Sequence, residues 1–132
     1  MYGFEHFKAY WIMEYKEVEN NIYLLSRDFA IRIIKLFNYL KDQKKEYIMS
    51  KQVFKSGTSV GANVFEAKNA QSRADFSSKM NIALKEMTET LYWLDLLHTT
   101  EYIDEKQYDS IFSDGNRIMA TLIKIVKATK SE

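Results

Sequence analysis

Apolar residues recur at intervals of three and four along most of the chain, which is the period of a helix that buries one face. Phe29, Ile33, Leu36 or Phe37, and Leu40 form the first stripe, and Ala30, Ile34 and Phe37 widen it. They predict a helix over residues 24–41, with Asn21 or Ser26 as its cap. Lys41-Asp-Gln-Lys-Lys45 is short and polar, which suits a tight turn between antiparallel helices. A second helix is predicted over 46–70, with Tyr47, Ile48, Phe54, Val60, Val64 and Phe65 as its apolar positions. Its middle, Ser56-Gly-Thr-Ser-Val-Gly-Ala-Asn63, would read as a loop on propensity alone. Each glycine inside a helix costs about 1 kcal/mol, so packing has to offset both. Gly57 and Gly61 lie four apart, on one face, and would let another backbone come close.

The third helix, 73–99, is the clearest. Ser72-Arg-Ala-Asp75 resembles a capping box, and Phe76, Met80, Ala83 or Leu84, Met87, Leu91, Leu94 and Leu97 or His98 follow in helical register. The last helix starts at Asp104, where Asp104-Glu-Lys-Gln107 is another box-like cap. Tyr108, Ile111, Phe112, Ile118, Met119, Leu122, Ile125 and Val126 make its stripe; Gly115 interrupts it, and Lys124, Lys127 and Lys130 suit the dipole at its end. Four amphipathic helices on short connections give an all-α fold, an antiparallel up-down-up-down four-helix bundle over 21–130. Residues 1–20 stand apart. Tyr2, Phe4, Phe7, Tyr10, Trp11 and Tyr15 crowd an acidic stretch that is either an extra short helix or a loosely held tail, with Met13 an alternative start.

Composition narrows the chemistry. The 132 residues contain no cysteine and no proline, and four glycines. Thiolate metal sites, disulfides and a cysteine nucleophile are thereby excluded, in keeping with a reducing, cytoplasmic setting. No apolar run reaches the length of a membrane span, so no membrane partner is expected. Only two histidines occur, His6 and His98. Di-metal bundles pair Glu-x-x-His elements from different helices. The nearest match is Asp95-Leu-Leu-His98, with Asp for Glu and no second copy, so neither a metal nor another cofactor is expected. No phosphate-binding glycine motif is present.

Polar residues on apolar faces are more informative. Asn63, Glu66, Lys85, Glu86 and Glu89 could pair with one another or with Lys79, fixing helix register and assembly; Trp93 fits packing or a subunit contact. The competing use, an enzyme built on Glu66, Glu86, Glu89 and His98, has no supporting motif. Net charge is +1, yet residues 21–57 carry eight cations against three acids. Arg27, Arg32, Lys35, Lys41, Lys44, Lys45, Lys51 and Lys55 could form a solvated outer face or a patch for phosphates.

Five blocks then fall in a telling order: Phe29-Ala-Ile-Arg-Ile-Ile-Lys-Leu36, Ser56-Gly-Thr-Ser-Val-Gly-Ala-Asn-Val-Phe-Glu-Ala67, Asp75-Phe-Ser-Ser-Lys79, Ile82-Ala-Leu-Lys-Glu86 and Glu89-Thr-Leu-Tyr-Trp-Leu94. That order resembles the bacterial four-helix proteins encoded in intervening sequences of 23S ribosomal RNA genes, a group to which the accessory variability protein of diversity-generating retroelements is similar. The resemblance covers about 22–128. It implies a bundle that assembles into a ring, most often a homopentamer, with a second helix unbroken through Gly57 and Gly61 and no established enzymatic activity. In the retroelement relatives a positive surface binds nucleic acid and a reverse transcriptase; here only the basic positions of the first two helices match that role. The expectation is a non-enzymatic oligomer that binds RNA or a ribonucleoprotein, with a pure protein-interaction module as the alternative.

Overall fold

The computed structural model describes residues 21–130. Among them lie four helices and no strand: α1 (Ile22–Asp42), α2 (Met49–Ala67), α3 (Arg73–Thr99) and α4 (Glu105–Lys130). Segment 1–20, with the short helix predicted there, lies outside the described residues. Each helix packs against the next in sequence, and α4 closes more thinly on α1.

Local chemistry sets the ends. Asn21 caps α1, its Oδ1 accepting from the N–H groups of Tyr23 (2.9 Å) and Leu24 (3.1 Å). Ser26, the other candidate, is buried one turn inside and donates to the Tyr23 carbonyl. Helix α2 is shorter than the predicted 46–70. Lys45 takes a left-handed φ of 55°, and the buried Glu46 carboxylate turns back onto the helix start, accepting from Ile48, Met49 and Ser50 at 3.2, 3.0 and 2.7 Å. At the other end, Lys68, Asn69 and Ala70 bond three residues back, to the carbonyls of Phe65, Glu66 and Ala67, which tightens the chain out of the α-helix. The Ser72 hydroxyl accepts from Asp75 N–H as predicted, but the Asp75 carboxylate reaches back to Gln71. Asp104 and Gln107 form a full reciprocal box, at 2.8 and 2.7 Å.

Helix α2 runs unbroken through both glycines because α1 passes directly over them. A Cβ on Gly57 would stand 2.7 Å from Ile33 Cγ1, and one on Gly61 would stand 3.1 Å from the Ser26 carbonyl oxygen. Gly115 serves the α3–α4 contact in the same way, since a Cβ there would meet Leu91 Cδ2 at 2.8 Å. One core cluster joins Phe29, Ile33 and Leu40 of α1, Val53, Val60 and Val64 of α2, Phe76, Met87 and Leu94 of α3, and Ile118, Leu122 and Ile125 of α4. Each such side chain contributes about 1.5–3 kcal/mol by leaving water. Thr90 and Ser56 pair across the core at 2.8 Å, and Thr129 and Ser77 tie α4 to α3 at its edge at 3.0 Å.

Some apolar positions predicted for the core are not in it. Tyr47, Ile48, Phe54 and Phe65 of the α2 region are exposed, as is Ile34 of α1. A stripe of about a third of the helix circumference satisfies the core. These residues fall beyond it, and two of them, Phe54 and Phe65, lie on the outer side of the α1–α2 contact.

Candidate nucleic-acid interface

The outer seam between α1 and α2 is built from those surplus rings. At one end Tyr23 stacks on Phe65, with centroids 5.7 Å apart and planes inclined by 28°. At the other, Phe37 packs on Phe54 at 4.9 Å. Between them lies an open depression of about 270 Å³ lined by Tyr23, Arg27, Ala30, Thr58, Gly61, Ala62 and Phe65. Gly61 makes this floor possible by keeping side-chain atoms out of it.

Cations are interleaved with the rings. The Lys68 ammonium sits 4.3 Å from the Tyr23 centroid and 5.0 Å from that of Phe65; Lys41 sits 5.2 Å from Phe37. Arg27 is exposed, and its guanidinium lies 3.4 Å from the carboxylate of its chain neighbour Asp28. Lys51 and Lys55 are exposed on the outer side of α2. Lys68 was not among the predicted basic residues, although its place three after Phe65, on the same helix face, carried the signal.

The other predicted cations point elsewhere. Arg32 crosses to α4, where it pairs with Asp114 at 2.6 Å and donates to the Ser110 hydroxyl and carbonyl at 2.9 and 3.3 Å. Lys35 lines the α1–α4 groove with Arg32, Leu36, Tyr39 and Gln107. Lys44 lies over Tyr39 at 5.9 Å, and Lys45 is exposed in the turn. The eight predicted cations therefore form not one patch but two faces and a turn.

The polar residues assigned to packing and assembly also separate. Asn63 donates to the Ser59 carbonyl of its own helix, and Glu66 is exposed. Glu89 accepts from Trp93 Nε1 at 3.3 Å, and Trp93 meets Tyr92 edge-on. The Glu86 carbonyl accepts from Thr90. Lys85 and Glu89 border a shallow recess with Tyr92 on the outer side of α3. Among the described residues no ion pair joins Glu66, Glu86 or Glu89 to Lys79 or Lys85; Glu66, Lys85 and Glu89 are exposed, and Lys79 and Glu86 are half-buried.

His98 stacks on Tyr108 with centroids 4.2 Å apart, and its Nε2 lies 2.8 Å from Glu105. That cluster ties the end of α3 to the start of α4. Burial, then the charges of Asp95, Asp109 and Glu105, push the Tyr108 phenol above its ordinary value. Among the described residues, no group of three histidine or carboxylate side chains is placed to hold a metal ion, and no helix is long and apolar enough to cross a membrane.

These features define a four-helix, all-α protein whose first helix pair carries a cationic, aromatic outer face. The chain matches the family model for the 23S rRNA-intervening sequence protein over residues 18–124, and it belongs to that family. It is similar to the crystal structure of a protein with unknown function from the S23 ribosomal protein family of Bacteroides thetaiotaomicron VPI-5482. The two share 54% identity with a TM-score of 0.80, over 80% of this chain and 98% of that one. None of the curated proteins matches the chain.

Proposed function

We propose that the protein is a non-enzymatic, self-assembling four-helix bundle that binds RNA or an RNA-containing complex through its α1–α2 face. The helices run up, down, up and down in this reading, supported by the short linkers and by each helix packing on its chain neighbour. Copies close into a cytoplasmic ring, a homopentamer, whose symmetry multiplies weak single contacts into avidity. A nucleic-acid enzyme such as a reverse transcriptase is the second class of partner.

The carrying observation is the outer face of α1 and α2, where Arg27, Lys41, Lys51, Lys55 and Lys68 lie beside exposed rings; the rest of the 21–57 excess, Arg32 and Lys35 above all, lies on the α4 side. The test is titration with a polyanion such as a mixed RNA at two salt concentrations. Binding that falls steeply with salt is expected; salt-independent binding, or none at low salt, counts against the proposal. Sedimentation of the free protein tests the ring.

The alternative, a protein-interaction module with no nucleic-acid role, draws on exposed Ile82 and Tyr92 of α3. Pull-down with and without nuclease separates the two, because a direct protein partner survives digestion.

A further inference from the structure

We infer that the α1–α2 seam is a single-strand site, on which unpaired bases stack against Phe65 and Phe54 while phosphates meet Arg27, Lys68 and Lys41. This rests on the proposed RNA reading and adds the form of nucleic acid that the face selects.

The arrangement of rings and charges decides between occupants. Phe65 is 53% exposed, far more than a ring needed by the core, and Phe54 is 36% exposed. They lie three turns apart on one helix, about 16 Å, with the depression floored by Gly61 between them. The ammonium of Lys68 stands over the Tyr23 and Phe65 rings and that of Lys41 over Phe37. An apolar peptide surface laid here would cover the rings but offer no counter-charge to Lys68 and Lys41, and Arg27 would keep only the Asp28 carboxylate 3.4 Å away among the described residues. A duplex would satisfy the cations but has its bases already stacked and offers the rings nothing. A single strand presents flat apolar faces and negative charges in alternation, which is the pattern the seam displays. Non-specific single-strand sites combine these two elements, aromatic platforms along a cationic groove.

The experiment is fluorescence anisotropy of the full chain with labelled oligouridylate and oligothymidylate of about 15 nucleotides, and with a duplex of equal length, at roughly 50 and 200 mM salt. Wild-type protein is expected to bind the single strands about tenfold more tightly than the duplex. Phe65→Ala should weaken single-strand binding about fivefold or more, with duplex affinity and salt slope unchanged, and Phe65→Trp should keep wild-type affinity. Lys68→Ala with Arg27→Ala should weaken both probes and flatten the salt slope. Salt-dependent binding that Phe65→Ala leaves intact overturns the stacking site and spares the RNA reading; no binding of either probe overturns both. Loss of assembly in Phe65→Ala, with binding unchanged, gives the seam to a second copy and also overturns the inference.

Discussion

Gly57 and Ile33 occupy one volume between them. A Cβ on Gly57 would lie 2.7, 2.9 and 3.0 Å from three side-chain carbons of Ile33, which is itself completely buried. The small residue is therefore what brings α1 down onto α2, and it keeps Ala30 and Phe37 level with Thr58 and Phe54 across the seam.

That relationship predicts a coupled pair. Gly57→Ala is expected to destabilise by about 1–2 kcal/mol, the strain of overpacking exceeding the gain in helix propensity. Ile33→Ala should cost about 2–5 kcal/mol by leaving a cavity. The double variant should be more stable than the sum of the two losses by about 1 kcal/mol, because the new methyl enters the vacated space. Urea unfolding at fixed protein concentration measures the cycle; strict additivity would contradict the shared volume.

Glu46 does the work of an N-cap from outside the helix. Residue 48, at the N-cap position, makes no side-chain cap bond, and the Glu46 carboxylate takes three backbone N–H groups instead. Glu46→Ala should lower stability by about 1–3 kcal/mol, since three backbone donors, that of Ser50 in a buried bond, lose their acceptor. Glu46→Gln should fall between, as only one of its terminal atoms accepts. Hydrogen exchange at Ile48 to Ser50 should rise in both variants ahead of the rest of α2.

The division of the basic residues gives a separable pair of phenotypes. Arg32→Ala breaks a half-exposed tie to Asp114 and Ser110, and is expected to cost about 1 kcal/mol or less. It should leave the salt slope of polyanion binding unchanged, because this guanidinium is already committed to α4. Arg27→Ala should do the opposite, with stability unchanged and the slope reduced by about one ion. Thermal melts and anisotropy titrations of the two variants check this; a lower slope for Arg32→Ala would show that its pair opens for phosphate.

Most of the fold was legible in the stripes themselves. A long run such as Phe76, Met80, Met87, Leu94 allows no other period, and the Asp104–Gln107 box announced its helix to the residue. The start of α2 was not legible, because a glutamate that caps from upstream looks like a glutamate in a first turn. Nor was the seam. Phe54 and Phe65 each follow a core valine by one residue, about 100° round the helix, and a stripe widened in this way does not say which apolar residues exceed what the core can hold. Charge counting grouped eight cations by sequence, whereas helix geometry sent Arg32 to one flank of α1 and Lys41 to the other. Lys68 was overlooked because its worth lies in the rings beneath it.

The α3–α4 junction predicts a response to alkaline pH. Tyr108 lies under His98 with its phenol held above the usual 10.0 by burial and by Asp95, Asp109 and Glu105. A phenol whose pKa is higher in the folded than in the unfolded chain favours folding while it is protonated. Its contribution is complete below pH 10 and fades as pH climbs from 10 through the raised folded value, because the unfolded chain ionises first. Wild-type protein should therefore lose stability above pH 10 more steeply than Tyr108→Phe, and the two curves should run parallel below it. The wild-type minus variant difference in phenolate absorbance should titrate above 10. Asp109→Asn should bring that midpoint down without changing the sign of the effect, since it removes one repelling charge and leaves burial, the larger cause, in place.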